Sequence, residues 1–221
     1  MVIVFDLDDT LFPESAYAVS ALRAVGSLAA QAYGWEDYGA KLLELHAGGN
    51  RTNLFQAAAR GLGHDSMSVE QVSACLACYR GHQPAGLPWY PDALVAVRAL
   101  HPRHPLELIS DGYLPTQPNK AVALGLEQWI PRPIFTEELG RQYWKPSARA
   151  FELVMARHPG EQFAYVADNP AKDFIAPRAL GWLSIRIRRL NGVYADTVDA
   201  PDGSPDIVLP NMSDLLAHLR I

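Results

Sequence analysis

Apolar residues fall along this chain in two rhythms. Short runs without alternation, VIVFDL at 2–7, LELIS at 106–110, RPIFT at 132–136 and FAYVA at 163–167, are rich in β-branched and aromatic residues. Such runs predict strands buried on both faces of a parallel sheet. The last three are each followed by helical spacing, over about 114–125, 147–157 and 171–180, with Gly125 and Gly181 closing the first and last. Glycine is the usual residue just past a helix end. Strands alternating with helices predict an α/β fold with a Rossmann-like, mainly parallel sheet. The stretch at 182–188 contains SIRIR, which alternates with arginine. It predicts a strand with one face in solvent and Arg186 and Arg188 as solvated edge charges. A turn-rich stretch follows, and a short strand and a helix near 211–219 end the pattern.

One interval breaks the rhythm. About a hundred residues separate the first two strands, whereas a strand–helix–strand unit needs roughly thirty. The excess reads as four amphipathic helices, each closed by glycine or turn residues, and PAGLPWYPDAL at 84–94 reads as a return linker opening a core helix at Pro91. Residues 1–13 and 85–221 are therefore expected to form an α/β core, and residues 14–84 a helical cap inserted after the first strand.

The insertion begins just after a cluster of acids. In an open parallel sheet, ligands bind beyond the carboxyl ends of the strands. Here the strands end on Asp6 and Asp8, on Ser110 and Asp111, and on Asp168, while Lys145 precedes a helix in WKPSARAF. Carboxylates gathered at one sheet end repel one another, and a divalent cation relieves this; oxygen-only ligands favour Mg²⁺. Carboxylates, Mg²⁺, a hydroxyl and a lysine suit phosphoryl transfer, which rests on positioning and charge neutralisation. Asp6, held at the strand end, suits a covalent nucleophile, and Asp8, two residues on, can swing between leaving group and water as acid and base.

The segments DLDDT at 6–10, ISDG at 109–112, Lys145-Pro146 and VADNPAKDF at 166–174 resemble, in order, the four motifs of the haloacid dehalogenase superfamily. The resemblance covers the core from residue 2 to about 188. It implies that Asp6 forms an aspartyl phosphate, that Asp8 protonates the leaving oxygen and later activates water, and that Ser110 and backbone amides near Asp111 and Gly112 hold phosphate. It implies that Lys145 steadies phosphate and nucleophile. Asp6, the backbone carbonyl of Asp8 and Asp168 would bind Mg²⁺, with Asp173 in support. Ala167 departs from the glycine usual in the family at that position. The insertion resembles the family's type 1 helical cap, which closes over the site to exclude water and sort substrates. Its loop HAGGNRTN offers Asn50 and Arg51 to a polar or anionic part of the substrate, or Asn50 as an ordinary helix cap. Lys41, the only lysine of the insertion, is the candidate for a phosphonate-cleaving Schiff base, and a carboxylate at position 8 argues against a dehalogenase. A Mg²⁺-dependent phosphatase acting on a small phosphorylated metabolite, a sugar phosphate or nucleoside monophosphate, is expected. A phosphomutase and a non-enzymatic phosphate-binding regulator are the alternatives.

Composition narrows the partners. Nineteen Lys and Arg against 24 Asp and Glu give a net charge of −5, with no basic run to track a polynucleotide. No stretch approaches the roughly 20 apolar residues of a membrane span, and the start resembles no signal peptide, so no membrane partner and a cytoplasmic setting are expected. Cys75 and Cys78 lie on one amphipathic helix and read as small apolar residues. Asp9 reads as a solvent-facing or turn residue. Trp35, Tyr38, Trp89 and Tyr90 read as packing.

Overall fold

A computed structural model describes residues 1–190 and 192–219. Val2–Phe5 (β1) is buried at every position, and both of its faces are covered. Val2 and Val4 join Ile109, Phe151, Tyr165 and Trp182 in one apolar cluster, while Ile3 and Phe5, pointing the other way, are equally buried. Leu106–Ser110 (β2) and Phe163–Ala167 (β4) flank β1, and Ile134–Phe135 (β3), Leu183–Ile187 (β5) and Ile207–Leu209 (β6) complete a six-stranded sheet in the order β3-β2-β1-β4-β5-β6. All five pairings are parallel. Parallel neighbours need crossovers, and helices supply them along most of the sheet: Thr116–Ala123 (α6), Arg149–Arg157 (α7) and Ile175–Ala179 (α8), with Pro91–Leu100 (α5) packed on Met212–His218 (α9); β5 and β6 are joined instead by a turn-rich stretch with no helix among its described residues.

The chain divides into two compact units, one of Met1–Glu14 together with the chain from Pro88 onward, the other Ser15–Leu87. The second is helical: Glu14–Tyr33 (α1, whose first residue belongs to the first unit), Tyr38–Ala47 (α2), Leu54–Gly61 (α3) and Val69–Gly81 (α4). Its core gathers Leu22, Val25, Tyr38, Leu42, Phe55 and Cys75. Gly26 of α1 faces Gly39 of α2 so closely that a Cβ on Gly26 would stand 2.5 Å from the Gly39 Cα. Ser68 caps α4 in a reciprocal box with Gln71. Cys75 and Cys78 are free thiols, and burial pushes both above the usual thiol range. Among the described residues no helix is long and apolar enough to cross a membrane.

Two expectations change. Arg186 is not an edge charge but 4% exposed. Strand β6 covers the outer edge of β5, and the guanidinium binds Asp199 at 3.1 Å and the carbonyls of Tyr194 and Thr197. Arg188 stays exposed. The helix expected over 171–180 begins only at Ile175, because the preceding turn is closed from within. Asn169 Oδ1 accepts from the Ala171 amide and Asp173 Oδ2 from the Asn169 amide.

Candidate active site

The parallel register carries the strand ends to one edge. Phe5 pairs with both Leu108 and Val166, so Asp6 follows β1 where Asp168 follows β4 and Ser110 ends β2. Beyond Asp6 the chain turns at once. Asp9 adopts a left-handed φ of 52°, and its Oδ1 accepts from the Glu14 amide at 3.1 Å, tying the turn to the start of α1. Asp9 is thus a turn residue, as expected, but a buried one rather than solvent-facing. Aspartate tolerates this backbone because its short polar side chain bonds locally.

Carboxylate oxygens of Asp6, Asp168 and Asp173 lie within 4.8 Å of one another, and all three residues are buried. Lys145 lies beneath them. Its Nζ stands 2.6 Å from Asp6 Oδ1 and 2.7 Å from Asp173 Oδ1, and donates to the Tyr165 hydroxyl at 3.0 Å. One ammonium does not balance three carboxylates. Burial pushes Asp6 up to about 7 against the pull of Lys145, with the Asp173 charge adding to the rise. Asp168 goes well above the carboxylate range through burial and then the Asp6 and Asp173 charges. Burial disfavours charge on Lys145 too, but Asp173 and Asp6 outweigh it and hold the ammonium firmly protonated. Buried acids short of positive charge, offering oxygen donors alone, fit a hard divalent cation.

Asp8 and Ser110 meet on a different support. Gln117 Nε2 donates to Asp8 Oδ2 and Ser110 Oγ, both at 2.7 Å, and Lys120 Nζ to Asp8 Oδ1 at 2.7 Å. Asp111 ties loops together: Oδ1 accepts from Thr136 Oγ1 and the Lys145 amide, and Oδ2 pairs with Lys172 at 2.6 Å. Lys145 and Lys172 hold the Asp111 carboxyl below the usual range despite its burial. A cavity of about 170 Å³ opens here, lined by Asp6, Asp8, Gly112, Trp144, Asp168 and Tyr194 among others. A larger hollow of about 440 Å³ lies around His101, His104 and His158. Its acid, Glu107, is buried and already paired with Arg157 and His158.

Among the residues singled out in the sequence, Asp6, Asp8, Asp111, Gly112, Asp168 and Asp173 converge on this cavity, with Lys145 below and Ser110 beside it. Asn50 and Arg51 belong to the helical unit, on the loop after α2. There the Arg51 guanidinium donates to the His46 and Asn50 carbonyls, and Asn50 Oδ1 accepts from the Thr52 amide. Lys41 pairs with Glu44. Ala167 is fully buried, its methyl packed in the core cluster. Sequence reasoning passed over Gln117, Lys120 and Lys172. Their signals were present: Gln117 and Lys120 stand three apart on the helix that follows ISDG, and Lys172 immediately precedes Asp173.

A model of the haloacid dehalogenase-like hydrolases matches residues 1–181. The chain is 28% identical to a glyceraldehyde 3-phosphate phosphatase of Methanopyrus kandleri, over 99% of this chain and 96% of that protein. It is also 28% identical to the phosphatase of the same name from Methanocaldococcus jannaschii, over 97% and 94%. Among solved structures, the magnesium-bound HAD-hydrolase YfnB from Bacillus subtilis superposes with a TM-score of 0.70 at 17% identity, over 100% of this chain and 98% of that one. A 2-haloacid dehalogenase from Pseudomonas syringae gives 0.66 at 20%, over 100% and 99%.

Proposed function

Because the chain belongs to the haloacid dehalogenase-like hydrolases, we propose that it is a Mg²⁺-dependent phosphatase, removing phosphate from a small phosphorylated metabolite through an aspartyl-phosphate intermediate. The observation that carries this reading is the buried trio of Asp6, Asp168 and Asp173 built around a single lysine. Both relatives named as glyceraldehyde 3-phosphate phosphatases, aligned over nearly the whole chain, favour a sugar phosphate over a nucleoside monophosphate.

Each residue then has a task. Lys145 engages one oxygen of Asp6 and so orients the other for attack on phosphorus. As the new P–O bond forms, the ester P–O bond breaks, and its electron pair stays on the departing oxygen, which takes a proton from Asp8. The Asp8 carboxylate then takes a proton from water as that water attacks phosphorus, which releases inorganic phosphate and restores both aspartates. Ser110 and the amides near Asp111 and Gly112 would hold phosphate oxygens, and Lys145 would offset charge on them. Asp6, Asp168 and Asp173, with the backbone carbonyl of Asp8, would hold Mg²⁺. When bound, the ion would neutralise the carboxylates and the phosphoryl oxygens that gain charge. Asn50 and Arg51 keep a proposed part in binding the polar remainder of the substrate.

The test is hydrolysis of p-nitrophenyl phosphate with and without Mg²⁺, beside an Asp6→Asn variant. We expect Mg²⁺-dependent turnover in the wild type and a loss of at least about 1,000-fold in the variant. Equal rates in the two would discard the nucleophile. Phosphate release from a panel of sugar phosphates and nucleoside monophosphates tests the substrate class, and faster turnover of the nucleotides would overturn the sugar preference.

A further inference from the structure

We infer that Lys120 and Gln117 are positioning residues that hold Asp8 in line with the departing oxygen, an inference that rests on the phosphatase reading above. The geometry is specific. The Asp8 side chain is 21% exposed and stands three residues past the end of β1, outside the sheet, where the backbone makes only an isolated bridge with Phe12. Yet both of its oxygens are engaged, Oδ1 by Lys120 and Oδ2 by Gln117, each at 2.7 Å. The two donors are themselves buried. Gln117 is 1% exposed, and its amide also reaches Ser110 Oγ and the Asp111 carbonyl. Lys120 is 3% exposed, with its ammonium 5.9 Å from the centre of the Phe12 ring and 3.4 Å from Glu14.

Burying an ammonium and a primary amide costs free energy that the fold must offset elsewhere. Three residues apart on a helix, the two side chains share a face, and that face meets the acid. Glycine at position 112 makes room for the arrangement. Its φ is +141°, and a Cβ there would stand 2.7 Å from Gln117 Cδ. Sharing Lys120 with Glu14 spreads its charge over two carboxylates, so Asp8 is oriented without being the sole counter-ion. A proton donor acts only when aligned with the atom it serves, and misalignment costs most where the leaving oxygen cannot depart unprotonated.

That dependence supplies the test. Nitrophenolate leaves as a delocalised anion, whereas an aliphatic alkoxide needs its proton in the transition state. The value of kcat/KM, which ends with alcohol release and excludes hydrolysis of the aspartyl phosphate, is compared for Lys120→Met and wild type on both kinds of ester. The expected result is a fall of about 100-fold on an aliphatic sugar phosphate, a fall of only a few-fold on p-nitrophenyl phosphate, and partial recovery in Lys120→Arg. Equal losses on the two esters, or no loss on either, overturn the inference. Should Lys120→Met fail to fold by circular dichroism, Gln117→Met decides by the same comparison. Absence of turnover in the wild type would instead reject the phosphatase reading itself.

Discussion

Removing divalent cations and raising the pH should destabilise the protein through its raised carboxyls, Asp6 and Asp168 with Asp9 and Glu14, and the Asp6 share of that loss is set by its burial. Burial carries the Asp6 carboxyl from the usual 3.8 up to about 7. Between those values the folded chain keeps a proton that the unfolded chain has released, so stability is fullest near pH 4 and falls as the pH rises toward 7. At about 1.36 kcal/mol per pH step the ceiling is about 4 kcal/mol. Because the Lys145 ammonium lies against the same carboxyl and opposes the rise, about 2–4 kcal/mol is expected. For a chain of this size that is roughly 5–15 °C in melting temperature. His46 and His82, whose pKa values burial lowers, work oppositely, gaining stability as the pH climbs toward 6.5. Asp92, Asp111 and Asp206 are held below the usual range and lose their stabilisation only under more acid conditions. The assay is therefore a difference: calorimetric melting of wild type minus Asp6→Asn in chelator, from pH 5 to 7.5. The wild type should lose ground steadily against the variant, and saturating Mg²⁺ should reverse the trend by binding the ionised acids. Parallel curves in chelator would refute the reasoning.

Three substitutions extend the test. Lys145→Met leaves Asp6 and Asp173 facing each other without the ammonium now 2.6 and 2.7 Å away. Urea unfolding should show a loss of about 3–5 kcal/mol, partly regained with Mg²⁺, and a loss under about 1 kcal/mol would contradict the buried-cluster argument. Gly112→Ala should cost about 1–3 kcal/mol and lower kcat, because the new methyl meets Gln117 and the backbone sits at φ +141°; wild-type values in both assays would count against it. Gly26→Ala should weaken protection from hydrogen exchange in α1 and α2, at a cost of about 1–3 kcal/mol, since its Cβ would stand 2.5 Å from the Gly39 backbone. Unchanged exchange would mean that the helices separate freely.

By itself the sequence determined the strands of the core, the helical insertion and the acids at the strand ends. Each of these is local: a short apolar run rich in β-branched residues and followed by helical spacing reads as a doubly buried strand, and the residue where such a run stops is the residue at the sheet's carboxyl edge. Asp6, Ser110 and Asp168 could be placed at that edge for this reason, whereas Lys145 lies on no strand and stood out only through the motif resemblance. What only the tertiary structure decided is which groups answer them across long sequence separations. Gln117 and Lys120 became visible once α6 was laid beside the loop after β1, and Arg186 turned from an apparent edge charge into a buried one because β6 extends the sheet past β5 and residues 194–199 take up its guanidinium. A period of two or 3.6 records which face of an element is buried, but the identity of the partner on that face is a property of the assembled packing.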